Sequence, residues 1–379
     1  MTQISITSDR QDYFGQEIFD FLVAEWQWRS DYQHTPDIQF SAPQHNTVNL
    51  LFLSMPDAVP NNINDYDLVI LDNADEAFGR GTEVMYEILY RYQHSYLACN
   101  TVLHHSHPRY QQLNSRLITT MLHWNYHRRT YIEPMFAPSR EYQSLLPLPG
   151  SMIYINGRNR SWRQYITGLL EKNVPRLAHH NQLHNQSASE TKFAWHEDSF
   201  DTDARIHFND HYANNKLNLY PPEQRWPALP SGVNGRFGQV EFYDRFFTEF
   251  RQHSVIVYPE STWQNNLVSL NEKSLRCFLH QRWAMPFGGC NMHALFRDLG
   301  FETAWCLLPK ELTKFDQCQS HMERWQQQCV ALNWLLDHPQ VFQSDFAQKT
   351  LLNNRAQCIV LSSPAGAQLY KIIHEKTRH

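Results

Sequence analysis

Residues 254–303 change from β-type to helix-type patterning and back within fifty residues, and this alternation leaves few folds open to the chain. The run 254–258 (SVIVY) is rich in β-branched residues, the composition of a strand buried on both faces of a parallel sheet. A loop over 259–268 carries Glu260 and two asparagines. Ser269 and Glu272 stand three apart, the spacing of a capping box, so a helix is expected to start between them. Leu275, Phe278 and Leu279 then share one apolar face. A second strand is expected over 283–287, with Gly288-Gly289 turning into a helix that stops at Gly300. The pair Glu272-Lys273 falls in the first turn of a helix, beside the carboxyl end of a strand. That is where open α/β sheets bind ligands. Free N–H groups, the helix dipole and a lysine charge would all favour a phosphate there.

The first half repeats the alternation. Strand-length runs occur at 4–7, 48–53, 68–71 and 95–102, and helical spacing at 11–29, 82–92 and 109–128. Strands interleaved with helices predict a parallel sheet covered on both faces. Prolines 134, 138, 147 and 149, followed by Gly150, mark the expected crossing between domains. Acids follow the expected strand ends: Asp9 after the first, then Asp72, Asp75 and Glu76 after 68–71. A carboxylate at the mouth of a sheet suits a general base, and Asp at a loop-to-helix boundary equally suits a cap.

The second half restarts the β pattern at 151–155. Asn156-Gly157 makes a turn, and Arg158, Arg160 and Arg163 gather at a helix start whose apolar face is Ile166, Leu169 and Leu170. Grouped guanidinium and backbone N–H donors suit an anion, and they equally suit pairing with acids or solvent. Residues 171–249 are polar and histidine-rich, with His179, His180 and His184 near their start, and then rich in proline. After Thr303 the chain reads as mostly helix, notably 317–336 and 343–353, a helical C-terminal segment over 311–379.

Composition removes several function classes. A formal charge of −5 gives no support for wholesale nucleic-acid binding. No apolar run approaches the about eighteen residues of a membrane span, and the first residues lack the basic start and apolar core of a signal peptide. Seven scattered cysteines without a CxxC pair fit free thiols and a cytoplasmic chain. His104-His105-Ser106-His107 and the His207/His211 pair are the densest of 21 histidines. Neither has the HExxH context or the further ligand of a zinc site, so no metal is expected.

Residues 271–303 (NEKSLRCFLHQRWAMPFGGCNMHALFRDLGFET) resemble the donor-nucleotide motif of bacterial and phage glycosyltransferase-like proteins related to the fucosyltransferases. Glu272, Lys273 and Ser274 fall on the family's Glu-Lys-Thr helix start, and residues 299–303 on its Leu-Gly-Phe end. Glu260 falls on the glutamate that closes the preceding strand. Upstream, YINGRNRSWRQYITGLL resembles the Asn-Gly-Arg segment of the same proteins, with Arg163 on the recurring arginine. The resemblance covers roughly 151–170 and 250–360. Asn271 stands where the family has Thr or Ser, Arg276-Cys277 replaces a more apolar segment, and 285–290 (MPFGGC) falls where the family varies.

The resemblance implies a GT-B-like α/β fold: two Rossmann-like parallel-sheet domains facing a cleft, with a helical C-terminal tail. Domain one would span 1–150, the nucleotide-sugar domain 151–310 and the tail 311–379. It implies a metal-independent glycosyltransferase without a cofactor, using a nucleotide-diphosphate sugar as donor. Glu272 would accept from ribose hydroxyls, Lys273, Arg160 and Arg163 would neutralise the diphosphate, and Ser274 and Glu260 would complete the donor site. If the reaction inverts, a base has to come from the first half, and Asp72 or Asp9 would supply it. The acceptor is open between a glycan, a protein and a nucleobase, and so are the sugar and the stereochemical outcome. Two other classes stay on the table: a catalytically inactive binding or scaffold protein of the same fold, and a different α/β phosphate-handling hydrolase. Turnover of a nucleotide sugar separates the first, and loss of activity to a chelator would favour a metal-dependent member of the second.

Overall fold

The structure is a computed structural model that describes residues 3–8, 37–54, 58–73, 82–99, 101–107, 110–113, 116–119, 148–156, 161–181, 252–260 and 265–361, with positions 372 and 375. The chain forms two compact units, Met1–Pro134 with Ile359–His379, and Met135–Cys358. The sequence alone had placed the division at 150 and set 311–379 apart. The helices expected at 11–29, the acids Asp9, Asp75 and Glu76, Arg158 and Arg160, and the histidines 184, 207 and 211 lie outside the described residues.

The first unit holds a six-stranded sheet in the order β2-β1-β3-β4-β5-β7. Its strands are β1 Gln3–Ser8, β2 Asp37–Phe40, β3 Val48–Ser54, β4 Leu68–Asn73, β5 Ser95–Cys99 and β7 Leu117–Thr119, and every pairing is parallel. A short strand β6, Thr101–Leu103, follows β5, so the run 95–102 is two strands. Leu50–Leu53 and Leu68–Leu71 are buried without a polar interruption, as strands covered on both faces must be. Helix α1, Thr82–Arg91, buries Met85, Ile88 and Leu89 along one face. The long helix expected over 109–128 is instead a one-turn α2, Tyr110–Leu113, followed by β7. Leu117-Ile118-Thr119 pair with Leu97–Cys99, and Arg116 just before them donates to the carbonyls of Leu89 and Tyr92. Those tertiary bonds override the helical spacing. Strand order reverses once, between β1 and β3.

The second unit carries a four-stranded parallel sheet, β12-β10-β8-β9. It comprises β8 Leu148–Asn156, β9 Ala178–Asn181, β10 His253–Pro259 and β12 Trp283–Phe287. The short strand β11 covers Leu267–Ser269. Both strands read from the sequence stretch around residue 254 are present, and all five residues of β12 are buried. Pro286 has no N–H to give, which suits β12's place at the end of the sheet. Here the order reverses between β8 and β10.

Helix α3, Ser161–Asn173, buries Trp162, Tyr165, Ile166 and Leu170, while Leu169 is only partly covered. Helices α4, Glu272–Leu279, and α5, Met292–Asp298, flank β12 in sequence. Helix α6, His321–Asp337, sends Trp325, Cys329, Leu332 and Leu335 into the same core as β8, β10 and β12. It is therefore part of this unit's core rather than a separate tail. Helix α7, Asp345–Leu361, adds Ala347 and Leu351 to that core. Its Asn354 exchanges two bonds with the backbone of Glu302: it accepts from the N–H at 2.8 Å and donates to the C=O at 2.6 Å.

The expected end of α5 is present in detail. Gly300 has φ +84°, its N–H reaches the Arg297 carbonyl, and Phe301 N–H reaches Phe296. Phe301 then stacks on Phe278 of α4 with ring centroids 4.4 Å apart. A Cβ at Gly300 would meet the Gln357 amide at 2.8 Å, an amide that donates to the Leu299 carbonyl. Gly300→Ala is expected to cost about 1–2 kcal/mol, from the left-handed backbone and the displaced amide together. A urea melt measures it, and an unchanged midpoint would contradict the strain.

Candidate functional site

One residue ties the carboxyl end of β10, beside the point where the second sheet reverses, to the start of α3. Glu260 follows β10 directly and is 2% exposed. Its N–H donates to the Phe287 carbonyl at 2.9 Å, extending the β10–β12 pairing. Its C=O accepts from Arg163 Nε at 3.3 Å, Arg163 Nη2 at 3.2 Å and Trp162 Nε1 at 3.4 Å. The start of α3 is thereby fixed to the end of β10. Arg163 is itself 2% exposed, so most of its guanidinium faces protein. Tyr154 and Thr167 tie the same turn down, with the Thr167 hydroxyl on the Arg163 carbonyl at 2.8 Å and Tyr154 Oη at 2.9 Å from that hydroxyl.

The Glu260 carboxylate points the other way, to the start of α4. Oε2 accepts from Asn271 Nδ2, and Oε1 accepts from Ser274 Oγ at 3.3 Å. Ser274 Oγ also lies 2.8 Å from Tyr258 Oη. With the serine proton on Glu260, Tyr258 is the donor to that oxygen. Burial, followed by the nearby Glu260 charge, holds the Tyr258 hydroxyl well above its ordinary pKa and keeps that donor protonated. Ser274 is fully buried.

Asn271 does double duty. Its Oδ1 accepts from the backbone N–H of Lys273 at 3.0 Å and of Ser274 at 3.3 Å, so Asn271 is the N-cap of α4. The capping box expected from Ser269 and Glu272 does not form, because Ser269 is taken into β11 and the helix begins two residues later than that box requires. Two of the N–H groups expected to greet a phosphate are thus occupied by the chain's own amide. The helix start offers its dipole and the half-buried Lys273. Glu272 is the first residue of α4.

Of the site residues expected from sequence, the structure brings Arg163, Glu260, Lys273 and Ser274 to one rim with Glu272. Asp72 sits near the carboxyl end of β4 in the first unit, in register with Ser54 and Ala98. Asp9 and Arg160 lie outside the described residues.

Sequence reasoning missed three residues that hold the second unit's helix starts and turns in place. Asn271 was legible as a cap by residue type. Arg324, 1% exposed, donates through Nε to the Gly288 carbonyl at 3.0 Å, to the Cys318 carbonyl through Nη1, and through Nη2 to His321 Nδ1. Trp325 Nε1 reaches the same Gly288 carbonyl at 3.1 Å. Asp316, within the 3-10 turn Lys314–Gln317, receives the backbone N–H groups of His293 and Ala294, each at 3.0 Å, and so caps α5. Gly288 sits close beneath Glu260: a Cβ there would meet Met292 Sδ at 2.6 Å and the Glu260 side chain at 3.4 Å.

The histidine turn in the first unit is local. His104 and His105 rings lie 3.9 Å apart, Ser106 N–H donates to His104 Nδ1 at 3.2 Å, and His107 N–H closes the turn onto His104. Among the described residues no three His, Cys, Asp or Glu side chains gather as a metal ion requires. Among them, too, no helix is long and apolar enough to cross a membrane. Cys277, Cys290, Cys306, Cys318, Cys329 and Cys358 are free thiols, and burial pushes Cys306 and Cys329 up to about 12.

No family model and no curated protein matches the chain. Among solved structures it is similar to two of the wall teichoic acid polymerase TagF. The first shares 10% identity over 100% of this chain and 89% of that one, with a TM-score of 0.37. The second, soaked with CDPG, shares 11% identity over 99% and 88%, with a TM-score of 0.36. Likeness at that level fixes neither the fold nor the chemistry of this chain.

Proposed function

We propose that the chain is a glycosyltransferase of the fucosyltransferase-like kind and of GT-B type, with the second unit holding a nucleotide-diphosphate sugar. The observation that carries this reading is the convergence of Arg163, Glu260, Asn271, Ser274 and Lys273 where the strand order of a parallel sheet reverses. Open α/β sheets bind ligands at that point. The motif resemblance supplies the ligand class. On this reading Lys273 and Arg160 face the diphosphate, and Glu272 accepts from the ribose. Arg163 acts from behind, through the Glu260 carbonyl. As the glycosidic bond breaks, negative charge grows on the departing diphosphate. A fixed cation in a water-poor site stabilises that charge more than the ground state. On this reading the transfer needs no metal, and if it inverts, Asp72 and Asp9 are the candidate bases. The acceptor is a glycan, a protein side chain or a nucleobase, met in the cytoplasm.

A thermal-shift panel of UDP-, GDP-, CMP- and dTDP-linked sugars tests the donor class. One nucleotide should raise the melting temperature, because a ligand at a hundred times its Kd adds about 2.7 kcal/mol. No stabilisation by any of the four would overturn the reading. Lys273→Ala should melt within a degree or so of the parent, as a half-buried side chain on a helix surface allows. It should also lose the nucleotide-induced shift. Binding that persists in this variant removes Lys273 from the site.

A further inference from the structure

We infer that Glu260 is a positioning residue that sets the first turn of α4, and with it Lys273, rather than a contact of the bound nucleotide. The inference rests on the donor-site reading above for its ligand, and on geometry for the rest.

Every polar group of Glu260 already has a protein partner. Its backbone joins β10 to β12 and to the start of α3. Its two carboxylate oxygens take one donor each from the start of α4. At 2% exposure the side chain has almost no surface to offer a ribose. The consequence lies in Asn271. An asparagine side chain has one oxygen and one NH2, and in solution nothing decides which faces the helix. Here the Glu260 carboxylate, which when ionised accepts and cannot donate, draws the NH2 and so turns the oxygen towards the N–H groups of Lys273 and Ser274. If Asn271 turned over, NH2 would face N–H and the cap would be lost. Glu260 therefore fixes the orientation of the cap. The cap fixes the backbone at Lys273, the residue that would meet the diphosphate.

A reciprocal exchange tests this. Asn271→Asp leaves a carboxylate facing a carboxylate, whereas Glu260→Gln still offers Asn271 an oxygen but gives up the charge that dictates which way the two amides turn. Asn271→Asp should melt lower than the parent and bind more weakly, by about tenfold or more, to the nucleotide that performs best among UDP, GDP, dTDP and CMP, and Glu260→Gln should fall between that variant and the parent. In the double variant E260Q/N271D the glutamine NH2 donates to one aspartate oxygen, and the other aspartate oxygen caps the helix. Both melting temperature and nucleotide affinity should return to within about threefold of the parent.

Melting recovered without affinity would overturn the inference, because a carboxylate needed by the ligand itself is not restored by one moved to position 271. Melting not recovered would overturn the latch. Failure of the parent to bind any of the four nucleotides would sink the donor-site reading instead, with the latch still decided by whether melting recovers in the double variant.

Discussion

Replacing Arg324 with alanine is expected to destabilise the second unit by about 3–5 kcal/mol, the largest effect of any single substitution considered for this chain. The guanidinium is 1% exposed and serves the Gly288 carbonyl, the Cys318 carbonyl and His321 Nδ1 at once. Alanine leaves buried acceptors deprived of a donor, each costing about 1–3 kcal/mol, and a cavity beside Trp325. Trp325 still donates to Gly288, so the loss at that carbonyl is partial. Lysine is not a conservative replacement, because a point charge on a flexible stem cannot span three separated acceptors as a planar fork does. Arg324→Lys should recover less than half of the loss. Urea unfolding followed by tryptophan fluorescence measures both variants, and an Arg324→Ala midpoint within about 1 kcal/mol of the parent would contradict the buried network.

Acidification below about pH 6.5 is expected to unfold the protein steeply, through two buried histidines. Burial, followed by the Arg324 charge, lowers His321 to about 2. Burial, then Arg297 and Arg324, takes His293 well below its ordinary value. Both are neutral when folded and take up a proton when unfolded. Between His321's folded value and the unfolded value near 6.5, the unfolded chain binds more protons, so stability rises with pH and is lost as pH falls. Each group contributes a slope of about 1.4 kcal/mol per pH unit once the unfolded histidine is protonated. Burial raises Asp316 and Glu302 above the usual carboxylate range, and they work in the opposite direction near pH 4. The loss therefore sets in below about pH 6.5 and reaches its full slope about a unit lower, once the unfolded histidines are protonated, until the carboxylates oppose it. His321→Asn keeps an acceptor for Arg324 and should remove about half of the slope. A slope unchanged by that substitution would show that His321 does not titrate as its surroundings require.

The sequence told much about the second sheet and little about what its carboxylates touch. The strand at 283–287 and the glycine end of α5 were readable because composition and backbone preference act locally there. The helix start at Glu272 was readable, but its cap was not. Ser269 and Asn271 are both good capping residues, and only the pull of β11 on the first decides between them. The helix expected over 109–128 failed for a related reason, since 117–119 have a strand partner, β5, some twenty residues away. Glu260 shows the limit most clearly. Its position at a strand end favours a ligand contact on residue type alone. Whether it faces outwards or towards Asn271, eleven residues on, depends on how β10 and α4 pack. Arg163 carries the same lesson, because an arginine read as an anion-binding cation is a buried clamp on a carbonyl, and Arg324, which drew no reading from sequence, is another.

The opposed amide and carboxylate at the head of α4 also bear on how such a chain can change over generations. A carboxylate arriving first at position 271 faces another, whereas a glutamine arriving first at position 260 still offers Asn271 an oxygen. A lineage exchanging the two groups one substitution at a time therefore has one passable order, with position 260 changing before position 271.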